Sequence, residues 1–439
     1  MTRTRKLAAA LALAVAAAAT GTLAACASSS PPVNTATASF GNNATGTVVF
    51  WARSDTITAA TPLVKEFNAT HPQLKVVMDS IQDTQAVTEL ATAIRGHAAP
   101  DLVDLNDIYM PIFTQLDAFV NLTNLVKQLP YDKALSPGHL ALATYDNRIY
   151  GVPYLADLSV LWINKTLFTK AGLNPDDPPK NFAQILADAR KINALGHGIN
   201  GFSFAGDCSG CLGFTALPDI WAAGSNVIRG ALNHQSATVA GNATVTALLN
   251  LYRTIWTEHL APASDLTDTG ATWGTDFAAG KVGIFPGGFG TVILEVPAAK
   301  RSQFTDVALP GPNGGYATFD GGDDLAIPEG AQNASGAWEF MKWILAIKQQ
   351  DELPAYGYTP VRSDALTPAF EKANPLDVTA LKALAHGVAP ATTAYNSIFN
   401  QAGGPWLTMF DTAVFNGQVA RAMTSAQQGF DQLLTDEAG

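Results

Sequence analysis

RIYGVPYLADLSVLWINKTLFTKAGL, residues 148–173, puts a polar interruption inside an apolar strand. Val160-Leu161-Trp162-Ile163 has the continuous apolar character of a buried strand, while Pro153-Tyr154 and a lone Asp157 break the pattern just upstream. Core packing does not favour an isolated carboxylate, so this segment is expected to meet something polar.

The elements on either side set its context. Thr47–Trp51 is a β-rich run, Ala59, Ala60, Leu63, Val64 and Phe67 recur at helical spacing, and Leu74–Met78 restores strand character, which makes a βαβ unit. A helix over 84–95 and a strand over Asp101–Leu105 continue the alternation and predict a parallel sheet with helices on its faces. Downstream, helices are predicted over 165–171, 181–195, 243–258, 273–279 and 333–346. Strands are predicted over 201–205 and 282–285, at Val307 and over Asp324–Ile327. The fold class is α/β, with a second α/β lobe after the quoted stretch.

With 439 residues, 47% hydrophobic and only 14% charged, the chain can bury large cores, and its length predicts two or three structural domains. A formal charge of −11 argues against nucleic acid and anionic membrane surfaces as partners. At the N-terminus, Arg3, Arg5 and Lys6 precede an Ala/Leu run from Leu7 to Ala19, so residues 1–25 read as a signal peptide. Leu23-Ala24-Ala25-Cys26 resembles the bacterial lipobox, which makes Cys26 the lipidated mature N-terminus; an ordinary A-x-A cleavage signal with an incidental Cys is the alternative. Residues 26–46 then form the lipidated Cys and an uncharged Ser/Thr/Pro/Asn tether, and with no later run of spanning length the lipid is the expected anchor. Cys208 and Cys211 in DCSGC are expected to pair in an oxidising exterior. The loop lacks a βαβ context for a redox site and a second ligand pair for zinc.

Ligands of open parallel sheets collect beyond the carboxyl ends of strands. Trp51, Ser54 and Asp55 follow the first strand, Asp83 follows the second, and Asn106, Asp107 and Tyr109 follow the third. Tyr154 and Asp157 flank the lobe crossing, Gly288-Phe289 follows 282–285, and Asp320-Gly321-Gly322-Asp323 precedes Leu325. Any one Asp or Asn here is equally a helix cap or turn residue, so their joint occurrence carries the weight. Carboxylates accepting from adjacent hydroxyls, glycine backbone allowing close approach and aromatic faces such as Trp221 and Trp273 suit an uncharged polyol, with Arg362 as a donor. Enzyme motifs fail. Gly201-Phe-Ser203-Phe-Ala205 lacks the final Gly of a nucleophile elbow, Gly280-Lys281 is followed by Val282 where a P-loop needs Ser or Thr, and no HExxH occurs. A pair of glycosidase carboxylates from distant elements stays open at this level.

Taken in order, Leu63-Val-Lys-Glu-Phe67 with His71-Pro72, Ala99-Pro-Asp101-Leu-Val, Tyr150-Gly-Val-Pro-Tyr154 with Leu161-Trp-Ile-Asn-Lys165, Phe277-Ala-Ala-Gly-Lys281, Asp320–Pro328, Ala337-Trp-Glu-Phe340 and Tyr358-Thr-Pro-Val-Arg362 resemble the family 1 extracellular solute-binding proteins of ABC importers, the group containing maltose-binding protein. The resemblance runs from about residue 46 to the end. It implies a two-lobe periplasmic-binding-protein-like fold of type II, with lobe 1 over 47–155 plus about 305–350 and lobe 2 over 156–304 plus about 351–439. Pro153–Leu158 and residues 319–323 are the implied crossings, Asn106, Asp107 and Tyr109 the first-lobe ligand loop, and Gly288-Phe289 the glycine-aromatic turn of the second lobe. Arg362 stands where sugar-binding members often place an arginine. The expected protein is a monomeric, lipid-anchored binder of a carbohydrate, working with ABC permease subunits and needing no cofactor or metal. A polyol phosphate such as glycerol-3-phosphate is the alternative ligand, and a secreted glycan hydrolase the alternative activity.

Overall fold

The computed structural model describes residues 38–41 and 43–438; the signal peptide and Cys26 lie outside them. Strand β1 (Gly46–Arg53) leads through α1 (Ile57–Thr70) to β2 (Leu74–Ile81), and α2 (Ala86–Arg95) leads to β3 (Leu102–Asn106). These strands pair in parallel, as the alternating pattern predicts. Helix α1 buries Ala59, Ala60, Leu63, Val64 and Phe67, the stripe that marks it in the sequence, and carries Pro62 half-buried at its sixth position.

The quoted stretch forms β4 (Gly151–Asn164), a strand of 14 residues that belongs to both halves of one eight-stranded sheet. Its first part, Gly151–Leu158, pairs antiparallel with the later strand Asp320–Ala326, which also pairs with β3. Its second part, from Ser159 on, pairs antiparallel with Val282–Gly288 and with Phe304–Val307. We name the remaining strands β5 (Asn200–Phe202), β6 (Val282–Gly288), β7 (Phe304–Val307) and β8 (Asp320–Ala326). The order across the sheet is β2-β1-β3-β8-β4-β6-β5, with β7 beside β4. Thus β4 and β8 connect the two lobes.

Pro153 is tolerated inside β4 because the ladder is irregular there. Asp323 pairs with Leu155 but Asp324 pairs with Pro153, which leaves Tyr154 as the bulged residue. Opposite, Gly322 adopts φ +132°, and a Cβ at that position would lie 2.2 Å from the Leu155 carbonyl oxygen, so only glycine lets the two crossing strands approach.

Three differences from the sequence reading stand out. The strand expected over 201–205 ends at Phe202, and the DCSGC loop opens α3 (Ser209–Trp221), whose N-cap is Cys208. Gly210, Gly213 and Pro218 hide this helix from propensity, yet Leu212, Ala216, Leu217 and Ile220 are buried, and that burial outweighs intrinsic preference. β7, which the sequence reading sets with lobe 1, pairs with Leu161–Asn164 beside β6 and not with β1, β2 or β3. Finally, Leu353, Val361, Leu381 and Leu384 share one apolar cluster with Phe50 and Phe340 and also with Phe285 and Phe289, so this stretch packs against both halves. Among the described residues no helix is long and apolar enough to cross a membrane.

Candidate functional site

Where β1, β3 and β8 end, one guanidinium collects several carboxylates. Arg53, buried at 5% exposure, donates from Nε to Asp83 at 2.5 Å, binds Asp83 and Asp323 through its terminal nitrogens, and lies 3.6 Å from Asp55. Asp104 accepts from the Arg53 amide at 3.4 Å and from the Thr56 hydroxyl. Burial raises the pKa of both Asp104 and Asp323, and Arg53 opposes it in each. Burial alone would lower Arg53, but Asp323, Asp104 and Asp83 outweigh it and fix the positive charge. Ser54 accepts from the Asp83 amide at 3.2 Å and donates to Asp55 at 3.3 Å, and the Tyr358 hydroxyl donates to the Asp55 carbonyl at 3.0 Å.

Asp157 is the one residue of β4 that is not buried. Its carboxyl keeps some solvent contact, yet the surrounding protein and then Asp323 push its pKa up to about 7 against the pull of Arg53. A Cβ on Gly288 would come within 3.1 Å of Asp157 Oδ1 and 3.7 Å of the Phe214 ring, so the glycine makes room between a carboxylate and an aromatic face. Gly321 plays the same part between Phe319 and the Asp157 carbonyl, at 3.2 and 3.3 Å. Phe214 packs against Phe319 and Trp273 with ring centroids 5.3 and 6.3 Å apart, and Phe319 against Trp221 at 5.7 Å. Phe214, Trp221 and Trp273 are half-buried and keep part of each ring free. Trp162 donates from Nε1 to the Gly288 carbonyl at 2.9 Å and fixes the end of β6.

The structure therefore brings together Ser54, Asp55, Asp83, Asp157, Gly288, Gly321, Gly322 and Asp323, with Trp221 and Trp273 in the adjoining aromatic group. Tyr109 is half-buried beside Asp83 and hydrogen-bonds Asn400 from the far end of the chain, while Asn106 caps the turn beneath it through the Ile108 amide.

Other predicted site residues sit elsewhere. Asp107, fully buried, lies 3.8 Å from His139, which is also 3.3 Å from Asp320; Asp320 in turn accepts from Ser136 at 2.5 Å. Burial works against the imidazolium, but Asp320, Asp107 and Asp324 raise His139 to about 10, so this is a buried ionic cluster holding helix 137–142 to β8. Phe289 is fully buried against Trp162 at 6.5 Å and offers no free face. Arg362 is taken up by Asp364, by the Leu345 carbonyl at 2.8 Å and by the Tyr131 ring at 3.8 Å. Tyr154 is the bulged core residue, and Trp51 packs with the cluster around Leu90 and Val103. Asp107, Phe289 and Arg362, expected in one cleft, thus belong to three separate neighbourhoods.

Phe214, Phe319, Tyr358, Asp104 and Asn400 were not singled out by sequence. Tyr358 opens Tyr-Thr-Pro-Val-Arg and Phe319 precedes Asp320-Gly-Gly-Asp, so both border visible motifs; Phe214 lies on the unrecognised α3 and left no signal. Cys208 and Cys211 form a disulfide at the start of α3, covered by Gly270, where a Cβ would lie 3.1 Å from either sulfur. A cavity of about 230 Å³ borders Trp221. Larger ones, about 540 Å³ beside Tyr316 and about 630 Å³ beside Lys165 and Phe289, lack the Arg53 and Asp157 groups. Size alone therefore does not locate a site here; the convergence of polar and aromatic groups does.

The family described as bacterial extracellular solute-binding protein matches residues 53–351. The chain belongs to this family. Among solved structures, this solute-binding protein resembles the sugar-binding protein MalE of the phytopathogen Xanthomonas citri, with a TM-score of 0.78 at 22% identity, covering 89% of this chain and 98% of that one. A cyclic alpha-maltosyl-1,6-maltose binding protein of Arthrobacter globiformis gives 0.74 at 21% identity, covering 89% and 100%. These likenesses show the two-lobe fold. A binding protein of Brucella abortus is 25% identical over 292 residues, 64% of this chain and 66% of that protein. The sn-glycerol-3-phosphate-binding periplasmic protein UgpB of Yersinia pestis is 23% identical over 214 residues, 47% of this chain and 46% of that protein. The solute-binding protein thus spans just under two thirds of the first of these curated relatives and about half of the second.

Proposed function

We propose that this solute-binding protein is the substrate-binding component of an ABC importer, that it binds a carbohydrate where β4 and β8 cross, and that it does no chemistry on it. The observation that carries this reading is the meeting of Asp157, midway along β4, with Phe214, Trp273 and the Arg53-Asp83 group at the ends of β1 and β6. Carboxylates accept from vicinal hydroxyls and aromatic faces cover C–H patches, which is what a sugar ring presents on its edge and its face. The sugar-binding proteins among its structural neighbours point the same way. We place the ligand-contacting set at Ser54, Asp55, Asp83, Tyr109, Asp157, Phe214, Trp221, Trp273, Gly288 and Tyr358, and the lobe boundary at the crossings near 158 and 319.

A polyol phosphate is the weaker reading. A phosphate needs a free cation, whereas Arg53 is held by Asp83 and Asp323 and Arg362 by Asp364. Cys26 lipidation would tether the protein outside the membrane through residues 26–46 as a monomer that presents its closed form to permease subunits. A thermal-shift screen over neutral sugars, amino sugars and polyol phosphates, followed by calorimetry, tests the assignment. Saturable sugar binding without turnover is expected. Hydrolysis of any glycan, or binding of glycerol-3-phosphate alone, would overturn it.

A further inference from the structure

We infer that the ligand of this cleft carries a protonated amine, and that Asp157 receives the ammonium beside the Phe214 ring. The inference rests on the carbohydrate reading and narrows it to amino sugars or other cationic polyhydroxy compounds.

Three observations carry it. Asp157 breaks an otherwise fully buried strand, and among the described residues no donor or cation contacts its carboxylate. A carboxylate partly withdrawn from solvent and without a bonded counter-ion gains from a cationic partner that comes from outside. Among the described residues Arg53 is the cation that acts on it, and that guanidinium is occupied by Asp83 and Asp323 with Asp55 at 3.6 Å. A neutral ligand would leave Asp55, Asp83, Asp104, Asp157 and Asp323 facing a single guanidinium, and an anionic one would add to the excess; a cation compensates it.

The third observation is aromatic. Gly288 brings the backbone against both Asp157 and Phe214, and Trp273 stands edge-on to Phe214. The negative face of an aromatic ring next to a carboxylate stabilises an ammonium through the ring quadrupole as well as through the charge. A hydroxyl gains far less from the ring. The arrangement discriminates between ligands of equal shape that differ in one group.

The test is titration calorimetry at pH 7.5, above the value of about 7 to which Asp157 is pushed, on matched pairs, each a neutral mono- or disaccharide of the gluco, galacto and manno series with its 2-amino-2-deoxy counterpart. The amine should bind about tenfold or more tightly than its neutral partner in at least one pair, as expected for a charge-assisted bond, and the difference should shrink as sodium chloride is raised. Asp157→Asn should bring the ratio of the two affinities close to one. Unchanged melting of that variant at pH 7.5 or a higher melting point would show that the fold is intact. Neutral sugars binding as well as or better than the amines would overturn the inference while leaving the carbohydrate reading in place, as would a preference for the amine that survives in Asp157→Asn. Failure of every saccharide, neutral or amino, would overturn both.

Discussion

Arg53→Met isolates the electrostatic logic of the site. The change keeps most of the side-chain volume but removes the cation that Asp83, Asp104 and Asp323 share, and Asp104 and Asp323 are 0% and 1% exposed. Breaking a buried pair from one side costs roughly 3–5 kcal/mol, because the other charge stays behind uncompensated. At about 2.1 cal/mol/K of unfolding entropy per residue over roughly 400 residues, that corresponds to a fall in melting temperature on the order of 4–6 °C. The pH dependence follows from sign. Burial already raises Asp104 and Asp323 above the ordinary carboxylate range, and Arg53 is what pulls them back. Without it their folded pKa values rise further above the unfolded ones, so the native state binds more protons than the unfolded state, and stability is lost as pH rises through that window. The deficit should be large at pH 8 and smaller at pH 5. Urea unfolding followed by circular dichroism at both pH values measures it, and adding Asp323→Asn to Arg53→Met should recover part of the loss. A deficit below about 1 kcal/mol at pH 8, or one that grows on acidification, would refute this account of the cluster.

Gly322→Ala, forced into φ +132° and against the Leu155 carbonyl, should destabilise the protein by several kcal/mol or abolish soluble expression, whereas Gly330→Ala, at φ +89° with nothing within 4 Å, should cost only about 1 kcal/mol; thermal melting ranks the two. His139, raised from 6.5 to about 10, contributes stability that is present in full below pH 6.5 and is lost as pH climbs through 10, so the stability difference between wild type and His139→Gln should narrow between pH 7 and 10.5 in chemical denaturation. Cys26→Ala should release the protein from the membrane fraction or stall its processing, which fractionation and blotting would show. Alkylation without reductant should label neither Cys208 nor Cys211, and labelling of both in protein from its native compartment would contradict the disulfide.

The sequence carries local facts well and pairwise facts poorly. Asp157 was legible because a carboxylate inside an apolar run violates the pattern wherever the strand lies, and the helical stripe of α1 was legible because its period is written in five residues. The loops after β1 and β3 were legible because strand ends in a parallel sheet share one edge. Phe289 and Arg362 were not. Whether Phe289 faces a ligand or the core depends on Trp162, which reaches it from 127 residues away, and the fate of Arg362 depends on Tyr131 and Asp364 taking its guanidinium. Asp107 needed His139 and Asp320 to become part of a buried ionic cluster. Phe214 was hidden because α3 forms against its propensity.

The two crossing strands also explain why so many carboxylates are buried at one place. β8 reads Asp320-Gly-Gly-Asp323-Asp324, and its acidic residues lead in two directions: Asp320 and Asp324 toward His139, Asp323 toward Arg53. β8 is thereby fastened to helix 137–142 through Asp320, ahead of Gly321-Gly322, and to β1 through Asp323, beyond them. Ser159 still accepts from the Phe319 amide at 2.9 Å, and from there onward β4 pairs with β6 and β7, with apolar packing led by Trp162, Phe285 and Phe289. Asp157 lies opposite Gly321 on this crossing, and among the described residues no side-chain partner contacts its carboxylate. A ligand that neutralises Asp157 would act on the crossing itself, and binding there could bias the position of the lobes directly, through its different affinity for the open and closed arrangements.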